Sequence, residues 1–244
     1  MKNNTSLIDA INYRRSVRVY DEKKEIDSEI VKKCIQQATL APNSSNMQLW
    51  EFHHITSRDI LADLAVACLS QSAATTAKEM VVIVVRKDLW KQRVQAHISY
   101  LTKLFGIKPK NEYTGREKFA LNYYKNIMPF VYSDFFGIYG YIKYAISWVT
   151  GIFRPIYRQL RKSDMRIVAH KSAGLAAQTF MLSMAAENYD TCPMEGSDTL
   201  RIKKILKLPS TSEINMVISC GIRKPEGVYG ERFRVPFKSI YKQW

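Results

Sequence analysis

Three arginines and a serine fall within six residues at Tyr13–Arg18, where Arg14, Arg15 and Arg18 surround Ser16. Like charges repel, so lining them up calls for an anion between them. In an extended segment Arg14, Ser16 and Arg18 project to one face, while Val17 and Val19 point inward. Guanidinium forks beside a hydroxyl suit the oxygens of a phosphate monoester. A solvated charged turn is the plainer alternative, and the alternation with valine speaks against it. Near the end of the chain, Arg232 and Arg234 alternate around Phe233 in the same design. Two such segments suit one dianion, although the sequence leaves open whether they meet.

Two further stretches carry polar chemistry. In LAPNSSNMQLWEF (residues 40–52), Asn43, Ser44, Ser45, Asn46 and Gln48 crowd short-armed donors and acceptors before a strand. They suit either an Asx-rich turn or a hydrogen-bonding wall for the edge of a heteroaromatic ring. In DTCPMEGSD (residues 190–198), Pro193 offers a flat rigid face and Gly196 allows close backbone approach to a ligand. The alternative there is a helix-ending loop with an inert Cys192. Glu195 has no partner carboxylate or histidine at a telling spacing, so no acid–base role is assigned to it.

Together these motifs resemble one family, the FMN-dependent nitroreductases. RRSVRVYDEKKEI is similar to that family's R-R-S-x-R-x-F/Y opening, and LAPNSSNMQLWEF to its A-P-S-S-x-N-x-Q-P-W loop. CPMEG and RFRVP are similar to its late flavin-contacting motifs. The similarity covers residues 5–92 and 166–238, with Leu49 standing where the family has proline and Asn43 where it has a small hydroxyl residue. The resemblance implies that Arg14, Arg15, Ser16 and Arg18 hold the FMN phosphate and ribityl end, completed by Arg232 and Arg234. It implies that Ser44, Ser45, Asn46 and Gln48 contact the flavin, partly from a second subunit. Pro193 would pack against the ring, Met194 is counted among the cofactor-binding residues, and the amides of Glu195 and Gly196 would approach the ring's N5. Gln71 is given no role. The implied protein is a domain-swapped homodimer with an α+β fold, a central, mostly antiparallel sheet flanked by helices. The implied activity moves hydride from NADH or NADPH to a nitroaromatic, quinone or similar small-molecule acceptor by a ping-pong route. The flavin would carry that chemistry, so no catalytic side chain is expected. A non-turnover flavin-binding or membrane-surface protein on the same scaffold, or reductive dehalogenation, is the alternative.

The elements that must position these residues read as follows. Leu7, Ile8 and Ile11 after Asn4-Thr5 suggest an opening helix. Asp27 or Ser28 caps a second helix with an apolar stripe at Ile30, Val31, Cys34, Ile35 and Ala38, stopped by Pro42. Strands are expected over residues 50–55, 80–85 and 214–222, and helices over 60–69, 167–186 and 199–206.

With 244 residues, 46% hydrophobic and 24% charged, the chain suits one domain with a sizeable core. Its net charge of +15 favours anionic partners without choosing among them. The opening residues have no apolar core or small-residue cleavage site, and Cys34, Cys68, Cys192 and Cys220 match no metal-ligand spacing. Free buried thiols in a reducing cytoplasm are the expectation. No metal site is expected, since His53 and His54 are adjacent in a strand and face opposite ways.

Residues 93–166 differ from the rest. They hold thirteen Lys or Arg against four Asp or Glu, and nine of the 14 tyrosines. A lid or dimer-arm insertion within the single domain is the expectation. Residues 135–153 are nineteen in length with Lys143 as the one charge, close to the ~20 apolar residues of a membrane span, which a central lysine opposes. A peripheral membrane contact through 135–162, with Arg154, Arg158, Arg161 and Lys162 toward anionic lipid, is the alternative to a lid. Basic residues among aromatics also suit nucleic acid, but no recognised binding motif accompanies them.

Overall fold

The computed structural model describes residues 6–109, 111–133 and 137–244. Asn4-Thr5 and Phe135, which enter the expectations above, lie outside the described residues. The chain opens with helix α1 (Leu7–Tyr13), capped by Ser6 and Asp9 in a reciprocal box, and α2 (Ser28–Ala38), whose cap is Asp27. Strand β1 (Trp50–Ile55), α3 (Arg58–Ala67), the single turn α4 (Ser72–Thr75) and β2 (Glu79–Val85) follow. The basic middle forms α5 (Trp90–Phe105), α6 (Gly115–Asn122), a π-helical turn (Tyr123–Ile127), α7 (Met128–Tyr132) and α8 (Ile138–Phe153). The long α9 (Lys162–Ala186), β3 (Asp190–Met194), α10 (Thr199–Ile205), β4 (Glu213–Gly221) and a short α11 (Phe237–Ile240) complete the chain.

The four strands form one antiparallel sheet in the order β1-β2-β4-β3. The apolar run of β2 is buried throughout because both faces of the sheet are covered. Met80, Val82 and Val84 pack with Leu64 of α3 and Ile202 of α10 on one side. Val81, Ile83 and Val85 pack with α2 and α9 on the other, against Val31, Cys34, Phe180 and Met184. Alternation along a strand divides successive side chains between two helical layers, each buried one stabilising by ~1.5–3 kcal/mol. Helix α9 runs the length of its layer, and its stripe of Ala169, Ala173, Ala176 and Ala177 lets it lie close to the sheet.

One element corrects the sequence reading. Residues 190–194 are not a helix-ending loop but strand β3, paired with β4 in the register Asp190↔Gly221 to Met194↔Val217. Pro193 is tolerated because β3 is the outermost strand of the sheet, so the missing N–H breaks no ladder. Helix α9 also starts five residues earlier than the apolar pattern predicts, where Arg161 and Asp164 form a reciprocal cap.

Candidate functional site

The arginine strip attaches to the free edge of β3. Ser16 bridges Thr191 in parallel, and the Val17 N–H donates to the Thr191 carbonyl at 3.2 Å. Val17 and Tyr20 are fully buried, and the Tyr20 hydroxyl donates to the Ser219 carbonyl at 3.0 Å, so the strip is keyed into the core from beneath. A polar lock fixes its start. Arg223 holds buried Asp190 through Nε at 2.8 Å, lies 4.4 Å over the Tyr13 ring and donates to the Tyr13 carbonyl.

The C-terminal arm returns to the same place. Arg232 donates to the carbonyls of Ile11, Asn12 and Arg14, groups at the end of α1 that lack helical partners. Arg15 in turn donates to the Gly230 carbonyl at 2.8 Å. Arg14, Arg15, Ser16, Arg18, Arg232 and Arg234 therefore line one pocket of about 280 Å³, together with Tyr229, Glu231 and Phe233. The two basic strips meet. None of the five arginines forms a salt bridge among the described residues. Burial, then the charges of Arg232 and Arg234, hold the Arg14 guanidinium below its usual pKa. A cavity that crowds like charges in this way is stabilised by a bound anion, and forked donors beside a hydroxyl suit a phosphate.

Beside this pocket, Pro193 is half-buried, and Glu195 and Gly196 are exposed at the end of β3. The Met194 side chain is 2% exposed and packs into the core, leaving its backbone for a ligand. The Gln71 amide donates to the Gly196 carbonyl at 2.9 Å and to the Cys68 carbonyl at 3.0 Å. It braces the loop from the α3 side. Nothing in the spacing of the sequence points to it, because the link depends on how α3 packs on α10. Cys192 is buried, and burial raises its thiol pKa although Arg14 and Arg18 pull it down.

The polar loop lies elsewhere. It leads into β1, at the opposite edge of the sheet from the strip, four strand spacings or roughly 19 Å away. Ser45, Asn46 and Gln48 adopt left-handed backbone angles, φ 54°, 50° and 48°. Such conformations persist only where the surroundings enforce them. Here the basic middle does so. Ser45 Oγ and Tyr123 Oη share a hydrogen bond of 2.7 Å, Tyr124 donates to the Ser45 carbonyl at 3.0 Å, and His97 Nε2 donates to the Asn46 carbonyl at 2.7 Å. The His97 and Tyr124 rings stack at 4.3 Å. Asn43 accepts from the Gln48 N–H at 2.8 Å, and the Ser44 N–H donates to Ser172 Oγ of α9. The structure thus brings Arg14, Arg15, Ser16, Arg18, Arg232 and Arg234 together, sets Pro193 and Met194 on the adjoining strand with Glu195 and Gly196 just past its end, and keeps Ser44, Ser45, Asn46 and Gln48 apart from both.

Comparison with known proteins supplies a frame for this geometry. The model of a family described as the Nitroreductase family matches residues 11–222. Protein DrgA of Synechocystis is 26% identical over 92% of this chain and 87% of its own length. MhqN of Bacillus subtilis, provisionally named an NAD(P)H nitroreductase, is 24% identical over 93% of each chain. A provisionally assigned nitroreductase from Exiguobacterium sibiricum, solved in complex with FMN, superposes over 100% of both chains with a TM-score of 0.67 at 21% identity.

Proposed function

The chain belongs to the nitroreductase family, and on that premise we propose that it is an FMN-dependent oxidoreductase that takes hydride from NADH or NADPH and passes it to a conjugated small-molecule acceptor. The observation that carries the reading is the one pocket that Arg14, Arg15, Arg18, Arg232 and Arg234 line with Ser16, none of these arginines forming a salt bridge among the described residues. Its donors match a flavin phosphate in charge and geometry. The relatives of this chain point the same way: MhqN is provisionally named an NAD(P)H nitroreductase, and the Exiguobacterium protein was solved in complex with FMN.

When bound, the flavin supplies the electron transfer, and the chain's own residues bind, orient and shield. The arginine pocket holds the anionic end. Pro193 on the sheet edge would offer a flat surface to the ring, and the exposed residues Glu195 and Gly196 would present backbone amides to it. Gln71 fixes that backbone through Gly196. The displaced loop completes the reading. Its four polar residues stand at the far edge of their own sheet, so a site that uses strip and loop together takes them from two copies of the chain. On this reading the protein works as a homodimer, with nitroaromatic or quinone acceptors entering in turn after the nicotinamide.

The test is cofactor retention. Arg14→Ala combined with Arg234→Ala is expected to emerge from gel filtration without flavin absorbance, while the wild type emerges yellow and bleaches anaerobically with NADH or NADPH. A double variant that keeps its full flavin complement contradicts the phosphate assignment. A wild type that is yellow but that neither nicotinamide bleaches contradicts turnover.

A further inference from the structure

Helix α8 is built inside out. Its inward face carries Gly140, Lys143 and Ser147, all buried. Lys143 donates to the carbonyls of Val131 and Ser133 and lies 5.2 Å over the Phe130 ring. The outward half is apolar. Ile138, Tyr141, Ile142, Ile146, Val149 and Ile152 are exposed, and Trp148 and Phe153 are 53% and 83% exposed. One charged side chain therefore faces the protein, and the oily surface faces away. The helix is sixteen residues and ~24 Å long, short of the ~20 residues a span needs. Among the described residues no helix is long and apolar enough to cross a membrane.

Charge flanks this face on one side. From Gly137 to Ser163 the sequence has no carboxylate, while Arg154, Arg158, Arg161 and Lys162 follow the helix directly. Arg158 stacks on Trp148 at 4.8 Å and Arg161 on Tyr144 at 4.8 Å, holding two of these cations against the helix itself. Asp164 pairs with Arg161 and leaves the cluster net positive.

We propose that α8 is a monotopic anchor that lies in the surface of an anionic bilayer, with its apolar half among the acyl chains and Arg154, Arg158 and Lys162 at the headgroups. The charge pattern argues for this occupant. No carboxylate between Gly137 and Ser163 answers these cations, whereas an anionic leaflet complements them, each basic residue adding roughly fivefold to binding. Exposed Trp148 and Tyr141 suit the interface, where amphipathic rings gather. The proposal goes beyond the flavin reading and does not depend on it, because binding is scored on the protein whether or not it carries cofactor.

The experiment is flotation with phosphatidylcholine vesicles, with and without phosphatidylglycerol. The wild type is expected to float with the anionic vesicles, less so at high salt, and weakly with phosphatidylcholine alone. Ile142→Asp, Val149→Asp and Ile152→Asp together should cut binding by more than about tenfold, with an unchanged circular dichroism spectrum. Arg154→Glu with Lys162→Glu should abolish the preference for phosphatidylglycerol. In a second measurement, anionic vesicles should shift tryptophan emission to the blue, and Trp148→Phe should remove that shift while floating normally. A wild type that stays soluble with both vesicles overturns the proposal, as does an unchanged affinity in the triple variant. A fall in molecular mass in the triple variant, with no flotation of the wild type, assigns the face to contacts between copies and also overturns it.

Discussion

Arg14 is held where its charge is least comfortable, partly buried and beside Arg232 and Arg234. A side chain kept charged at such a cost signals that an anion belongs there, and this is what the alternation of arginine with valine indicates in the sequence. Spacing gives the direction of these side chains, because a strand alternates by geometry alone. It does not give their meeting, which depends on a C-terminal arm returning over more than two hundred residues. Cysteine tells the opposite story. All four thiols are free and buried, and burial raises Cys34 to about 12 and Cys68 to about 11, with Cys192 and Cys220 also raised. Thiolate is the reactive form. The native protein is therefore expected to leave Ellman's reagent uncoloured at mildly alkaline pH and to react at all four cysteines once unfolded in guanidinium. Rapid reaction of any thiol in the folded protein refutes this.

Helix ends carry much of the definition of the elements. Asp164 at the start of α9 and Glu117 at the start of α6 close reciprocal caps, and both are held below the usual carboxylate range. For Asp164 the chief cause is the Arg161 hydrogen bond; for Glu117 it is the Thr114 N–H. A depressed carboxylate stabilises fully above its unfolded pKa, near 4, and that contribution is lost as pH falls through the lower folded value. Acid titration should therefore fray these two helix starts below about pH 4, seen as faster amide exchange there before the sheet core responds. Gly140 makes a second test. A Cβ there would meet the Arg161 Cα at 3.2 Å and the Lys162 nitrogen at 3.3 Å, backbone that cannot step aside. Gly140→Leu should lift α8 from the body and speed trypsin cleavage at Arg154 and Arg158, with little change in the unfolding midpoint of the sheet. Cleavage at the wild-type rate argues that α8 docks by other contacts. Apolar periodicity made α2, α9 and the two buried strands legible in sequence. It missed β3, whose five residues include a proline that reads as a loop. It also missed Gln71, whose partner is a backbone carbonyl 125 residues away.

At the scale of the molecule, the separation of strip from loop defines a test of assembly. If each flavin site takes its arginines from one copy and its loop from the other, two differently crippled chains should rescue one another. A chain carrying Arg14→Ala and Arg234→Ala, coexpressed with one carrying Asn46→Ala and Gln48→Ala, forms heterodimers in which one of the two sites is wholly intact. Flavin should return to the mixed dimers at about half occupancy and stay absent from either parent. Absence of rescue in purified mixed dimers places both motifs in the same copy. The sheet order shows the separation of strip from loop, which single-chain periodicity does not, because nothing in a sequence marks which contacts lie between copies. The clasp of Arg232 on the end of α1 has one more consequence, for biosynthesis. Synthesis runs from the N-terminus, so Arg232 and Arg234 emerge more than two hundred residues after Arg14 and Arg18. The anion cradle thus stays open until the C-terminal arm has emerged, and loading of its occupant waits for both halves of the cradle.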